Sequence, residues 1–195
     1  MVALSEKTQQ GQGRNKIHSK KFALIIACAS IVMMFMAFTS AYIVRRAAGN
    51  WLEFRLPNIF FINTAVILLS SVTLQASYYF FKNGKEFLYK GLMILSFLLG
   101  ILFLLLQYQG WLDMQAIGVE LTGNPSGSFV YVISGVHAAH ILGGLAALTV
   151  ALVQAFSLRY KVTPRRKLRF ELTLIYWHFV DFLWVYLLVF FVTQS

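Results

Sequence analysis

The sequence predicts an all-α polytopic membrane helical bundle of five transmembrane helices, its N-terminus cytoplasmic and its C-terminus periplasmic. Three observations predict it. Of 195 residues, 58% are hydrophobic and only 12% charged, a balance that suits lipid rather than water around the chain. Five apolar runs, each long enough for the roughly 20 residues a span requires, are separated by short polar breaks. The 17 Lys and Arg are also segregated: 14 fall in the N-terminal segment and in the second and fourth loops, and 3 in the first and third. Basic loops stay on the cytoplasmic side, which fixes the orientation.

The net charge of +10 does not point to nucleic acid, because the basic residues lie in loops between apolar runs. There they set topology and meet anionic lipid headgroups. The single Cys28 lies inside the first run, so no internal disulfide forms.

Residues 1–21 read as a polar basic cytoplasmic tail with Lys7, Arg14, Lys16, Lys20 and Lys21. It resembles the charged start of a signal peptide, but the apolar run behind it is too long to be a cleavable core. A transmembrane domain over 22–195 follows, its first span at 22–44 and closed by Arg45 and Arg46. After a loop holding Trp51, Glu53 and Arg55, Pro57 suits the first turn of a span over 57–81. Lys82-Asn83-Gly84-Lys85-Glu86 is a tight turn, and the third span covers 91–111. Gly123-Asn124-Pro125-Ser126-Gly127 breaks the chain before the fourth span, 128–158. A basic loop with Arg159, Lys161, Arg165, Arg166, Lys167 and Arg169 leads into the fifth, 171–193. No repeat and no water-soluble domain is visible.

The polar residues inside these runs carry the functional question. His178 and Asp181 are three apart on the last helix, within hydrogen-bonding reach of each other. Trp177, Asp181, Trp184 and Leu188 share one helix face. A carboxylate that deep is costly in hydrocarbon, so it faces protein or a wet cavity. Counted at 1.5 Å per residue, His140 and Asp181 reach similar depth on antiparallel helices, which predicts a polar cluster of His137, His140, His178 and Asp181 between helices four and five. Gly135, Ala139, Gly143, Ala147, Ala151 and Ala155 form a ladder of small residues that lets helix four pack closely.

Three roles are open to the cluster: ligation of a metal or haem, a proton relay, or polar packing that fixes helix register. Spacing favours packing over a relay, and a relay over ligation. Gln107, Asn63 and Thr64 read as interhelical hydrogen-bonding groups. Trp51, Trp111 and Tyr78-Tyr79 read as interface anchors. Glu171 reads as an ion-pair partner of Arg169. No nucleophile–base set, phosphate loop, CxxC motif or catalytic carboxylate pair is present.

Two motifs carry a family resemblance. Tyr176-Trp177-His178-Phe179-Val180-Asp181 with Trp184, and Gly135-Val136-His137-Ala138-Ala139-His140 closing on Gly143-Gly144, resemble signatures of subunit III of haem-copper oxidases. Leu56-Pro57, Asn63-Thr64, Leu68-Leu69-Ser70-Ser71, Leu106-Gln107 and Glu171 are weaker matches, and the similarity runs from about residue 20 onward. The chain is similar to the short five-helix form, which lacks the first helix pair of seven-helix members.

The resemblance implies a non-catalytic subunit of an aerobic respiratory terminal oxidase, a cytochrome c oxidase of the bacterial inner membrane. It would pack directly on subunit I, alongside subunit II and smaller subunits, and support proton uptake and enzyme lifetime. It implies no cofactor on this chain, with haems and copper in the partner subunits, and structural phospholipid at Glu171, Arg169 and Trp177. A larger respiratory assembly and membrane lipids are further partners, and nucleic acid is not one. Equivalent subunits of a quinol oxidase or a nitric oxide reductase complex are the alternatives. A small histidine-ligated membrane cytochrome is the alternative of another class. The chain departs from the family at Ser77-Tyr78-Tyr79 with Lys82 and at Tyr108-Gln109-Gly110, so a proton-antenna role resting on acids there does not transfer.

Overall fold

Uninterrupted apolar sequence between polar breaks gives five α-helices: α1 (Ser19–Ala47), α2 (Ile59–Lys82), α3 (Glu86–Ala116), α4 (Pro125–Ser157) and α5 (Pro164–Gln194). The protein is described here by a computed structural model over residues 19–157 and 160–194. All five helices are long and apolar enough to cross a membrane.

Several helices run past the limits hydropathy set, because a helix continues into polar flanks until a turn satisfies its free backbone groups. The expected tail to residue 21 gives way at Ser19, so Lys20 and Lys21 belong to the first turn of α1. Lys7, Arg14, Lys16 and Arg159 lie outside the described residues. The expected loop at Arg165, Arg166, Lys167 and Arg169 is helical, since Pro164 opens α5 at the first position, where a missing N–H costs nothing.

The α2–α3 turn is made by Gly84, whose φ of 76° only glycine adopts freely. Asn124 organises the opposite end. Its Oδ1 caps α4 through the Ser126 N–H at 3.0 Å, and its Nδ2 donates to the Asn50 carbonyl at 3.2 Å.

Helices α2, α3, α4 and α5 close a ring in that order, and α1 lies outside it against α4 and α5. The ring axis is filled from α5. Phe170, Trp177, Trp184 and Phe191 recur every seven residues, stay on one face, and are all buried. The α2–α3 seam is tight and polar: Ser70 Oγ donates to the Ser96 carbonyl at 3.0 Å, and Ser77 Oγ to the Tyr89 carbonyl at 2.8 Å.

The expected small-residue ladder is not the inner seam of α4. Ala139 and Gly143 are exposed, whereas Ser134, His137, Ile141, Gly144 and Leu148 face inward. The packed face is turned by one residue, because the large axis side chains of α5 need Gly144 opposite them.

α1 is tied on at both ends and the middle. Thr39 and Tyr186 share a hydroxyl bond of 3.0 Å, Lys21 pairs with Glu171 at 2.5 Å, and Arg46 Nη1 donates to Gln194 Oε1 at 2.8 Å.

Candidate functional site

The interior is built around two tryptophans of α5. Trp177 reaches all three other helices of the ring. Its Nε1 donates to Ser70 Oγ on α2 at 3.2 Å. A Cβ added at Gly100 of α3 would stand 2.8 Å from its ring, and one at Gly144 of α4 would stand 2.9 Å from it. Two turns on, Trp184 repeats the pattern. Its Nε1 donates to Thr64 Oγ1 at 2.9 Å, and its ring stacks on His137 with centroids 5.0 Å apart. Phe103 of α3 meets the same ring edge-on at 5.2 Å. An indole paired to a hydroxyl keeps its N–H satisfied while its large ring fills the core.

The four residues expected to form one polar cluster are divided. His137 is sealed among Trp184, Phe103 and Phe35, and neither ring nitrogen finds a hydrogen-bond partner among the described residues. His140 turns back on its own helix, its Nδ1–H donating to the Val136 carbonyl at 2.7 Å. His178 leaves the α4–α5 seam altogether and binds α2. Its Nε2–H donates to Gln75 Oε1 at 3.1 Å, so in the neutral ring Nδ1 accepts from the Ser71 hydroxyl. Asp181 is 2% exposed and lies beside Ser71, and neither carboxylate oxygen meets a partner in hydrogen-bonding geometry among the described residues. The expected His178–Asp181 bond is not made. Three residues on a helix leave the two side chains about 60° apart, and that turn sends His178 to the outer side of α2 while Asp181 points inward.

Other polar expectations fare differently. Gln107 is the interhelical group anticipated: its Oε1 accepts from Asn63 Nδ2 at 3.0 Å. Glu171 does not pair with Arg169. It accepts from Tyr78 at 2.5 Å and from Lys21 at 2.5 Å, linking α5 to α2 and α1.

Arg169, on the far side of α5, donates to Gln154 Oε1 at 3.0 Å and borders a groove walled by Ala147, Ala151, Tyr160 and Phe170. Tyr160, in the loop before α5, donates to the Phe81 carbonyl at 2.5 Å, and burial pushes its phenol up. Trp177 is fully buried and cannot meet lipid. The set expected for phospholipid, Glu171, Arg169 and Trp177, therefore points three ways.

Gln75 and Gly100 were not singled out from sequence, and Ser71 and Gly144 were named only within family motifs, without the contacts they make. The doubled glycine at 143–144 and the amide of Gln75 in an apolar run were the available signals. Among the described residues no three His, Cys, Asp or Glu side chains converge as metal ligands.

Fold and interior together define a multi-pass membrane protein in which several buried polar side chains bond across helix seams. The sequence model of the family described as Cytochrome c oxidase subunit III matches residues 3–194. A Mycobacterium bovis protein named probable cytochrome c oxidase subunit 3 is 27% identical over 184 residues, covering 91% of this chain and 89% of that one. Its Nocardia farcinica counterpart is 28% identical over 188 residues, with the same 91% and 89% coverage. Cytochrome c oxidase subunit 3 of Gallus gallus is 30% identical over 126 residues, covering 65% of this chain and 46% of that one.

The chain belongs to the cytochrome c oxidase subunit III family. It is a subunit III of a haem-copper oxidase, a family that does not itself carry the redox centres, and it belongs to a complex with other oxidase subunits.

Proposed function

We propose that this chain packs beside the catalytic subunit of a bacterial cytochrome c oxidase in the inner membrane, and stabilises that subunit and its proton uptake during oxygen reduction. The observation that carries it is the direction of the described histidines. His137, His140 and His178 are each spent on the chain's own core, backbone or neighbouring helix, while the outer faces are apolar. Such an interior supports a scaffold that presents a fixed surface to a partner. It does not favour the histidine-ligated cytochrome, which needs a pair of ligands facing one another across a haem.

Positive-inside segregation supports a cytoplasmic N-terminus, with residues 1–21 on that side and the five-helix domain over 22–195. The Arg169 groove supports a phospholipid there, because a guanidinium at the edge of an apolar cleft suits a phosphate above acyl chains.

The test is a reduced-minus-oxidised visible spectrum of the tagged chain, purified in mild detergent and again after harsher detergent. We expect haem to co-purify first and then leave with a larger subunit. Haem that stays with the bare chain overturns the proposal.

A further inference from the structure

The seam between α2 and α5 carries a line of polar side chains. On α2, Ser71, Gln75 and Tyr78 follow three-and-four spacing and share one face; on α5, Glu171 and His178 are seven apart and share another. The bonds between the two faces are made. Tyr78 donates to Glu171 at 2.5 Å, His178 Nε2–H donates to Gln75 Oε1 at 3.1 Å, and the Ser71 hydroxyl meets His178 Nδ1. Asp181 stands beside Ser71 at the deep end of the line.

The line is open at one end and sealed at the other. Glu171 and its partner Lys21 are 21% and 33% exposed. Lys82 lies over the Tyr78 ring at 4.6 Å, and Lys167 is near enough to act on Glu171. Gln75 comes one turn beyond Tyr78, about 5 Å deeper, a step that one bridging water spans. His178 is half-buried, and Asp181 is fully buried. Asp181 is the only buried acid among the described residues, and no Lys or Arg of that set is buried with it. An ionised carboxylate there would be an unpaired charge in a dry interior, far more costly than the neutral acid. A neutral acid needs one acceptor for its O–H, and Ser71 is the hydroxyl at hand. The χ2 torsion of aspartate is broad, so a turn about it brings the carboxyl onto Ser71.

We propose that Asp181 is a proton-holding site inside the bundle, loaded and emptied from the Glu171 end through His178 and Ser71. In loading, His178 takes a proton at Nε2 and gives the one on Nδ1 to Ser71, whose own hydroxyl proton passes to the Asp181 carboxylate. One proton enters and one arrives. His178 is left neutral, with Nε2–H toward Gln75 and Nδ1 accepting from Ser71, the arrangement its bonds describe. Release runs the same steps backward. Gln75 is a positioning residue: its carbonyl oxygen holds the Nε2–H tautomer and turns the ring toward Ser71. The site belongs to this chain's interior and goes beyond the assembly proposed above, so it stands or falls apart from the identity of the partner subunit.

The chain holds two aspartates, Asp113 and Asp181, so carboxyl-isotope-labelled aspartate singles them out in infrared spectra of the full-length chain in lipid nanodiscs. We expect the carbonyl-stretch band of a protonated acid at neutral pH, and its loss in Asp181→Asn. Carboxylate bands alone, or an acid band that survives Asp181→Asn, overturn the proton-holding site.

Transfer to heavy water then reads the route, because the band shifts as the acid proton exchanges for deuterium. We expect Ser71→Ala to slow that shift by roughly a hundredfold, the lower end of what a positioned acid–base group contributes to rate. Ser71→Thr keeps a hydroxyl and restores the exchange. Ser70→Ala is the control: that hydroxyl accepts from Trp177 on the same seam but lies off the line, so its loss leaves the rate at wild type. Exchange in Ser71→Ala as fast as in the wild type, or slowed equally in Ser70→Ala, overturns the route. His178→Phe breaks the next link and slows exchange to the same extent. Wild-type exchange in that variant overturns the route even if Ser71→Ala fails to accumulate.

Discussion

At the scale of single residues, Trp177 sets the tolerance of its surroundings. Its ring leaves no room for a methyl at Gly144, where a Cβ would stand 2.9 Å from Cε3. We expect Gly144→Ala to lower stability by about 1–3 kcal/mol, the cost of overpacking, measured by denaturing-detergent titration of the purified chain. In a Trp177→Phe background that ring edge recedes, so the same alanine should cost less than half as much. Strict additivity of the two substitutions would remove Trp177 as the cause.

Some of this was legible. Trp177, Asp181, Trp184 and Leu188 share a face at helical spacing, and all four are buried. Gln107 is the interhelical hydrogen-bonding group its place in an apolar run implied. The joining of His178 to Ser71 and Gln75 was not legible, because it depends on which helix stands beside α5, and spacing within one helix does not contain that information. The pairing of Glu171 with Lys21 rather than Arg169 failed for a related reason. Two residues along a helix point to opposite sides, and the choice of partner belongs to the neighbours.

At the scale of the helix, α1 differs from the rest. It stands outside the ring and is held to α5 by a few polar ties, of which Thr39–Tyr186 is part-buried. Tyr186→Phe removes that tie and little else. We expect a loss of roughly 0.6 kcal/mol, typical of interhelical bonds in membranes, together with a broader distance distribution between spin labels placed on α1 and α5. A distribution as narrow as wild type would assign the hold on α1 to packing instead. The existence and number of helices followed from hydropathy alone. The axis of Phe170, Trp177, Trp184 and Phe191 was hidden because each is one aromatic among many; a strict seven-residue count would have isolated it. The inner face of α4 was misplaced by one residue for want of knowing what faces it, since small residues line two of its sides.

At the scale of the molecule, the charge asymmetry and the ring belong together. Lys82, Lys85, Arg165 and Arg166 gather at the end of the bundle where α1 begins, and the opposite end holds the Asn124 junction. We expect single cysteines at Lys85 to be labelled by an impermeant maleimide only after membrane disruption, and at Glu120 in intact cells, with Cys28 replaced in both. The reverse pattern would invert the assigned orientation. The family was within reach of two short motifs because each places residues on a packed face, His137 and Gly144 on α4 and Trp177, Asp181 and Trp184 on α5, where side-chain size is most constrained.

The placement of the axis on α5 bears on how the bundle is made. α5 follows the other four helices in chain order, so a ribosome delivers them to the membrane before either tryptophan has emerged. The α2–α3 hairpin, joined by serine bonds and a short turn, is complete early. The ring, lacking its axis, is not. Until α5 inserts, Gly100 has only Leu145 of α4 opposite it, and Gly144 lacks the indole ring that covers it in the finished bundle.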